Sequence, residues 1–457
     1  MSAGRLFNLR KIQTMSPTIS IKEIKAIIKK EDVRYIQCWF TDVLGNLKNF
    51  SITVGELDEA ISEGMGFDGS SIEGFARIEE SDLIAKPDLS TFQVIPWSEN
   101  GRKSARFICD IHRPDGTPYE GDPRFALKKM LEKAAKKGFT FFVGPELEYF
   151  YFADNKKPVC IDQAGYFDGK PLDLGEEVRE KTVAALQHMG IYVEYAHHEV
   201  AASQHEIDLR YDRALEMADK VMTYRFAVKE IARQNNLYAT FMPKPIGGIN
   251  GSGMHCHQSL FKGNKNAFFS RGDSRQLSDV AKQYIAGVLF HAREITLVLN
   301  QWVNSYKRLV PGYEAPVYIS WGQKNRSALV RVPNYKPKKE NAARIELRSP
   351  DPSANPYLAF AVMLAAGLDG IDKKMVLAEP IEENIFEMSN QQKQRLKIIS
   401  LPGSLHEAIG ETETSALVQE VLGGHIFAKF IENKKIEWDA FRTHVSKYEI
   451  DRYLPMI

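Results

Sequence analysis

The spacing of apolar and polar positions changes several times along the chain, and each change predicts an element. Ile19–Lys30 sets apolar against basic residues at helical spacing and predicts a first amphipathic helix. Tyr35–Phe40, Leu47–Ile52, Thr91–Ile95 and Ala105–Ile111 are short runs rich in β-branched and aromatic residues, and they predict strands. Gly45-Asn46 punctuates them, so the opening is a small sheet domain ending near His112. Asp122 as N-cap and Pro123 at the first helical position then open a helix that stops at Gly138. Phe139–Tyr151 and Tyr192–Ala196 are predicted strands; Glu176–Met189, Tyr211–Asn235 and Ser278–Leu299 are predicted helices. Asn355-Pro356 starts an apolar helix that stops at Gly367, and the tail from Ser404 is mainly helical. The domain boundary is expected just before the Asp122-capped helix, giving units 15–113 and 114–457.

At 457 residues the chain is long for one core, which agrees with a small and a large domain. Lys+Arg 60 against Asp+Glu 59 removes any case for non-specific nucleic-acid or membrane binding. Cys38, Cys109, Cys160 and Cys256 lack CxxC spacing and fit reduced thiols in a cytoplasmic protein. No apolar run approaches the roughly 18 residues of a membrane span. Residues 1–14 carry Arg5, Arg10 and Lys11 without the apolar core of a secretory signal, and are expected to be a disordered extension.

Chemistry concentrates where the pattern alternates. In Asn250–Ser259, N-G-S-G-M-H-C-H-Q-S, a Gly-rich approach leads into a strand that puts His255 and His257 on one face, with Ser259 behind. Gly144–Phe150, G-P-E-L-E-Y-F, puts Glu146 and Glu148 on one face of an apolar strand. Two like charges there cost several kcal/mol unless a cation sits between them. His197–Ala201 and Gln204–Glu206 add Glu199 and Glu206, and Arg344-Ile345-Glu346-Leu347-Arg348 alternates again. Each alone also fits a bland role: a satisfied histidine pair, an edge strand, a polar loop or an exposed ion-paired face. Together Glu146, Glu148, Glu199, Glu206, Glu346 and His255 form a hard-oxygen set suited to Mg²⁺ or Mn²⁺, and they carry more charge than one ion needs. Arg308, Arg326, Arg331, Arg344 and Arg348 supply guanidinium groups matched to carboxylates and phosphates. Metals with several arginines point to phosphoryl transfer on a carboxylate-bearing substrate. No P-loop or kinase signature is present.

These stretches, with Phe67–Phe75 (F-D-G-S-S-I-E-G-F), Asn304–Pro316 (N-S-Y-K-R-L-V-P-G-Y-E-A-P) and Asn325–Ser327 (N-R-S), resemble type I glutamine synthetases in the family's own order, over nearly the whole length after Met15. The resemblance implies an α+β fold: an N-terminal β-grasp-like domain and a catalytic domain with a curved antiparallel sheet flanked by helices. It implies ligation of ammonia to glutamate with ATP through a γ-glutamyl phosphate, in a homo-oligomer, the family's dodecamer, with shared sites. Glu148, Glu199 and Glu206 match ligands of the metal that activates glutamate; Glu146, His255 and Glu346 match those of the metal that holds nucleotide phosphates. Arg308, Arg348, Asn250 and Gly251 match the glutamate clamp, and Arg326 matches the residue that neutralises the transferring phosphoryl group. Arg331, Arg344 and His257 match positions facing the ATP phosphates; Glu194, Tyr211 and Ser259 match those holding the nucleoside. Asp68 matches the residue that deprotonates ammonium, with Ser71 and Tyr166 nearby, and Glu314 belongs to a flap. Arg77 matches the arginine of the feedback-inhibited subclass. Phe386, in Asn384–Ser389, stands where the adenylylated subclass has tyrosine, so control by that route is not expected. A γ-glutamyl ligase for a bulkier amine, a non-catalytic binding protein and a two-metal hydrolase are the competing readings.

Overall fold

The computed structural model describes residues 19–72, 81–99, 101–313, 315–336 and 338–457. Arg77, Glu314 and the extension 1–14 lie outside the described residues.

Helix α1 (Ile21–Lys30) starts at a reciprocal cap: Glu23 N donates to Ser20 Oγ at 3.3 Å while the Glu23 carboxylate accepts from Ser20 N at 2.8 Å. Its Ile24 and Ile28 pack against β1 (Val33–Thr41), β2 (Leu47–Thr53), β3 (Met65–Asp68), β4 (Asp82–Glu99) and β5 (Arg102–His112), with α2 (Leu57–Ser62) between β2 and β3. The strand order is β2-β1-β5-β4-β3, antiparallel except for the β1–β5 pair. A mixed sheet with a helix on it is the β-grasp-like arrangement expected for the opening. The predicted Thr91–Ile95 strand is a segment of β4. Register shifts after Asp88 and after Val94 disturb the alternation around it, so the rest of β4 carries no clean period.

The large domain begins with α3 (Pro123–Lys136), capped by Asp122 accepting from Arg124 N at 2.9 Å. There follow β6 (Thr140–Phe152), α4 (Glu176–His188), β7 (Val193–His198), β8 (Gln204–Leu209), β9 (Asp212–Arg213), α5 (Ala214–Gln234) and β10 (Tyr238–Thr240). Next are β11 (Met254–Lys262), β12 (Lys265–Asn266), α6 (Asp279–Phe290), α7 (Ala292–Leu299), α8 (Ser305–Arg308), β13 (Tyr318–Gly322), β14 (Ala328–Arg331), β15 (Ile345–Leu347) and α9 (Pro356–Asp372). The second sheet runs β13-β14-β15-β11-β6-β8-β7, with β9 and β10 paired to β6 and β12 to β11. It is antiparallel, as expected, except between β13 and β14, which are parallel. Leu147, Ile207, Cys256 and Leu347 point from it into the main core, shared with residues of α3, α5, α6 and α9.

Two helix predictions change. Ser278–Leu299 divides at His291, whose ring lies 3.1 Å from Glu294 Oε2 and 2.9 Å from Asp369 Oδ2. Gly367 does not stop α9: a Cβ there would sit 2.0 Å from the ring of Tyr284 on α6. The glycine is a close-approach residue between two buried helices, not a terminator.

The two sheets are fastened by buried polar groups. The Arg124 guanidinium reaches Asp88 at 2.8 Å and Asp110 at 2.5 Å in the first sheet, and Asp219 of α5 at 2.9 Å. Asn355 Nδ2 donates to Asp42 O at 3.0 Å. Among the described residues no helix is long and apolar enough to cross a membrane.

Candidate active site

The opposite face of the second sheet carries the candidate chemistry, and strand register explains why. Directly opposed residues in paired strands point the same way. In β6 and β8, Glu146 opposes Asp208 and Glu148 opposes Glu206. On the other side of β6, His255 of β11 opposes Glu146, and His257 of β11 opposes Glu346 of β15, which in turn opposes Arg331 of β14. His197 of β7 opposes Glu206. One face of adjoining strands therefore gathers six carboxylates, counting Glu199 at the end of β7, with imidazoles and guanidinium groups among them.

On this face two groups among the described residues are compact enough to hold an ion. Glu146, His255 and Glu346 each offer a ligand atom within 4.8 Å of the others, and so do His197, Glu199 and Glu206. In the first, His255 Nδ1 lies 3.3 Å from Glu146 Oε2 and 3.7 Å from Glu346 Oε1, and His257 Nε2 lies 2.7 Å from Glu146 Oε1. Arg331 and Arg348 approach the Glu346 carboxylate at 2.5 and 3.2 Å, with poor hydrogen-bond alignment, since Glu346 Oε2 has no hydrogen-bond partner. In the second, His197 Nε2 lies 3.3 Å from Glu206 Oε2 and its Nδ1 3.8 Å from Glu199 Oε1.

The two ends differ electrostatically. Burial opposes ionisation of Glu146 and Glu346, yet the His257 and His255 rings, with Arg348 beside Glu346, outweigh it and hold both carboxyls below their ordinary range. At the other end the Arg308 guanidinium and the Gly253 N–H favour the ionised form of Glu148 but do not offset its burial. Burial, then the Glu199 charge, pushes Glu148 up to about 8; burial and Asp208 raise Glu206 well above the usual range. Asp208 rises to about 7 through burial and Glu146, and its Oδ1 is buried without a hydrogen-bond partner. Buried like charges that one neighbouring guanidinium does not balance are what a divalent ion would neutralise, so the residues present fit such an ion.

Beside this end, Arg308 donates to Ser349 O at 2.8 Å and to Arg348 O at 3.3 Å, and Arg348 Nη1 donates to Arg326 O. Gly253 N donates to Glu148 Oε2 at 3.0 Å; a Cβ on Gly253 would lie 2.5 Å from Arg308 Nη2, so a side chain there would make that guanidinium shift. A hollow of about 30 Å³ lies among Glu148, Glu199, Asn250, Gly251, Arg308 and Arg348. Beside the Glu146 end opens a cavity of about 350 Å³ that contains Glu194, Tyr211, His257, Ser259 and Arg344 together. Arg344 Nε donates to His257 Nδ1 at 3.2 Å. A wider cleft of about 760 Å³, beside Leu44–Leu47 and Trp302–Asn304, has no such carboxylate cluster.

The catalytic-domain model of glutamine synthetases matches residues 120–453 and their β-grasp model matches residues 32–114. The chain belongs to the glutamine synthetase family. It is 51% identical over 440 residues to the glutamine synthetase of Thermotoga maritima, covering 95% of this chain and 100% of that one. It is 48% identical over 442 residues to that of Staphylococcus aureus, covering 96% and 98%. A solved structure described as a GmaS/ADP complex superposes with a TM-score of 0.86 at 29% identity, covering 94% of this chain and 99% of that one.

Glutamine synthetases use ATP and a divalent metal, and the carboxylate–imidazole groups are the candidate ligands here. Not every residue that matches the family meets the cluster within one chain. Asp68 is exposed on β3, and its hydrogen-bond partner among the described residues is Ser70. Ser71 follows it and is exposed. Tyr166 is half exposed, stacked on Phe167 at 4.1 Å and edge-on to His197 at 5.3 Å; burial and then the Glu199 and Glu206 charges raise its hydroxyl. Arg326 is exposed. Sequence reasoning missed His197, Gln204 and Asp208. Gln204 Nε2 donates to Glu148 Oε2 at 2.8 Å and to Gly251 O at 3.2 Å. The signal was available, since Gln204, Glu206 and Asp208 recur at the same period of two already used for Glu146 and Glu148.

Proposed function

We propose that the chain makes glutamine from glutamate and ammonia, with ATP converting the γ-carboxylate to an acyl phosphate. The observation that carries this reading is the row of carboxylates and imidazoles on one sheet face, with a nucleotide-sized cavity at one end and an arginine pair at the other. Glu194, Tyr211 and Ser259 hold the nucleoside, while Arg344, Arg331 and His257 face its phosphates. Arg308 and Arg348, with the backbone at Asn250 and Gly251, hold the glutamate carboxylates. Glu146, His255 and Glu346 would hold one Mg²⁺ or Mn²⁺, and Glu148, Glu199 and Glu206 another. When bound, these ions neutralise charge on the phosphates and on the glutamate γ-carboxylate. Arg326 offsets the charge that develops on the transferring phosphoryl oxygens.

Ammonium cannot attack until it loses a proton. Asp68 binds it and takes that proton, with Ser71 and Tyr166 beside it, and ammonia then attacks the acyl phosphate, expelling phosphate. Glu314 closes over the intermediate and excludes water. Asp68 makes its contacts within the small domain, which supports delivery from a neighbouring copy. The working enzyme is then a homo-oligomer, the dodecamer, with sites between units 15–113 and 114–457 of adjacent subunits. It works in the cytoplasm, and Arg77 transmits feedback by glutamine.

The test is phosphate release from ATP with Mg²⁺ and glutamate, with and without ammonium, then with methylamine. Ammonium-dependent release with glutamine formed is expected. Release only with the larger amine would move the chain to ligases of bulkier amines, and no release with any acceptor would leave it a binding protein. Mixing Asp68→Ala with Arg348→Ala subunits should restore activity that neither has alone; no recovery would remove the shared site.

A further inference from the structure

Behind the carboxylate face lies a second polar cluster that the reaction above does not use. His198 and His205 oppose each other in β7 and β8 and point away from His197 and Glu206. Both are buried, with Asp162 and Asp173 beside them. Asp173 Oδ2 forms an ion pair with Arg179 Nη2 at 2.7 Å, and Arg179 Nη1 lies 2.8 Å from His205 Nδ1. The four side chains could each offer a ligand atom within 4.8 Å of the others. A guanidinium already stands between Asp173 and His205, however, so a cation is built in and a second one is disfavoured.

Asp162 holds this cluster to the turn between β7 and β8. Its Oδ1 accepts from Ser203 N at 2.9 Å and lies 3.2 Å from His198 Nε2; its Oδ2 accepts from Leu174 N at 3.3 Å. Ser203 has φ +62, a conformation costly for a residue with a side chain, and it persists only where the surroundings over-determine it. Its hydroxyl accepts from Ile161 N at 2.7 Å and Asp162 N at 3.3 Å, and its carbonyl accepts from Tyr151 N at 3.0 Å. The same segment returns to β7 where Phe167 N donates to His198 O at 3.1 Å, next to Tyr166. Glu199 and Glu206 flank the strained turn.

We propose that Asp162 is a positioning residue: by clamping the 199–203 turn to the 161–167 segment, it sets the separation of Glu199 and Glu206 and so the affinity for the ion they hold. The proposal rests on the reading of Glu199 and Glu206 as ion ligands. Outer partners of ligands commonly change metal affinity by about 10–100-fold when removed.

The experiment titrates the full chain with Mn²⁺ by electron paramagnetic resonance, without substrates, and measures the Mg²⁺ dependence and the ATP KM of phosphate release. In Asp162→Ala one class of Mn²⁺ site should weaken about tenfold or more and the Mg²⁺ requirement should rise with it, while the ATP KM stays unchanged. Asp162→Asn keeps an acceptor for Ser203 N but turns a donor toward Leu174 N, so it should weaken the same site about fivefold. An Asp162→Ala chain that assembles and binds Mn²⁺ as the unaltered chain does overturns the proposal. So does equal weakening of every Mn²⁺ site and of ATP, which marks general loosening. Should the alanine variant not assemble, unchanged binding in Asp162→Asn is decisive against it. Glu199→Gln and Glu206→Gln are run alongside: if neither alters Mn²⁺ binding, the ligand reading itself fails, and the proposal with it.

Discussion

Lowering the pH perturbs the carboxylate face in a way that can be worked through. Glu148 is buried and sits at about 8, through burial and then the Glu199 charge, while Asp208 sits at about 7 and Glu206 well above the ordinary range. A divalent ion binds the ionised forms, so it must displace their protons. For Glu148 alone, the ionised fraction falls about tenfold per pH unit below its pKa, a cost of about 1.4 kcal/mol each time. Ion affinity should therefore rise about tenfold from pH 6 to 7 and about fivefold more to pH 8, more steeply where Glu206 titrates alongside. Stability has a definite sign too. Because the folded pKa is raised, Glu148 stabilises the ion-free fold below its ordinary 4.5, and that contribution is lost as pH climbs through about 8. A bound ion removes the deficit, so the rise in Tm on adding Mg²⁺ should grow with pH. Calorimetric titration of Mn²⁺ at several pH values, in two buffers of different ionisation enthalpy, counts the protons released; about one or more per ion is expected at pH 7. Affinity independent of pH, with no proton release, would mean that the carboxylates are already ionised and would refute the argument that burial outweighs their counter-charges.

Arg326→Ala should lower phosphate release about 10²–10³-fold with assembly intact, as seen by size-exclusion chromatography; normal turnover would end its phosphoryl role. Tyr211→Ala removes a ring from the cavity proposed for the nucleotide and should raise the ATP KM about tenfold with kcat little changed, given about 1–3 kcal/mol for base stacking; an unchanged KM would put the base elsewhere. Gly287→Ala places a Cβ 2.2 Å from Ala366 O, a backbone atom that cannot turn aside. It should destabilise by about 1–3 kcal/mol in urea despite a helix-propensity gain of about 1 kcal/mol; a more stable variant would show that α6 and α9 can part freely. Arg77→Ala should blunt inhibition by glutamine in the same phosphate assay, and full inhibition would remove its regulatory role.

Much of the site was legible because the alternation survives in the sequence. Glu146 and Glu148, His255 and His257, and Glu346 between Arg344 and Arg348 each announce a shared face two residues at a time. Asp208 obeys the same rule, but it falls between the predicted Tyr192–Ala196 strand and Tyr211–Asn235 helix, where no element is predicted. Its strand is held by pairing to β6, which no local window contains. The Gly367 error has a similar source. A glycine that ends a helix and one that admits a neighbouring ring look alike in sequence, and only the α6–α9 crossing separates them.

By itself the sequence determined the periods of the elements, the capped helix start at Asp122, and the hard-oxygen chemistry of the candidate ligand set. These depend on residues a few positions apart. Only the tertiary structure decided which faces meet: that Glu146 opposes both His255 and Asp208, that Arg331 comes to Glu346, and that His197 joins Glu199 and Glu206. It also decided the charge states, which place Glu148 near 8 and hold Glu146 low, although both are glutamates on one strand. Burial and neighbouring charge are properties of the assembled sheet, and a carboxylate's proton affinity follows from them rather than from its place in the chain.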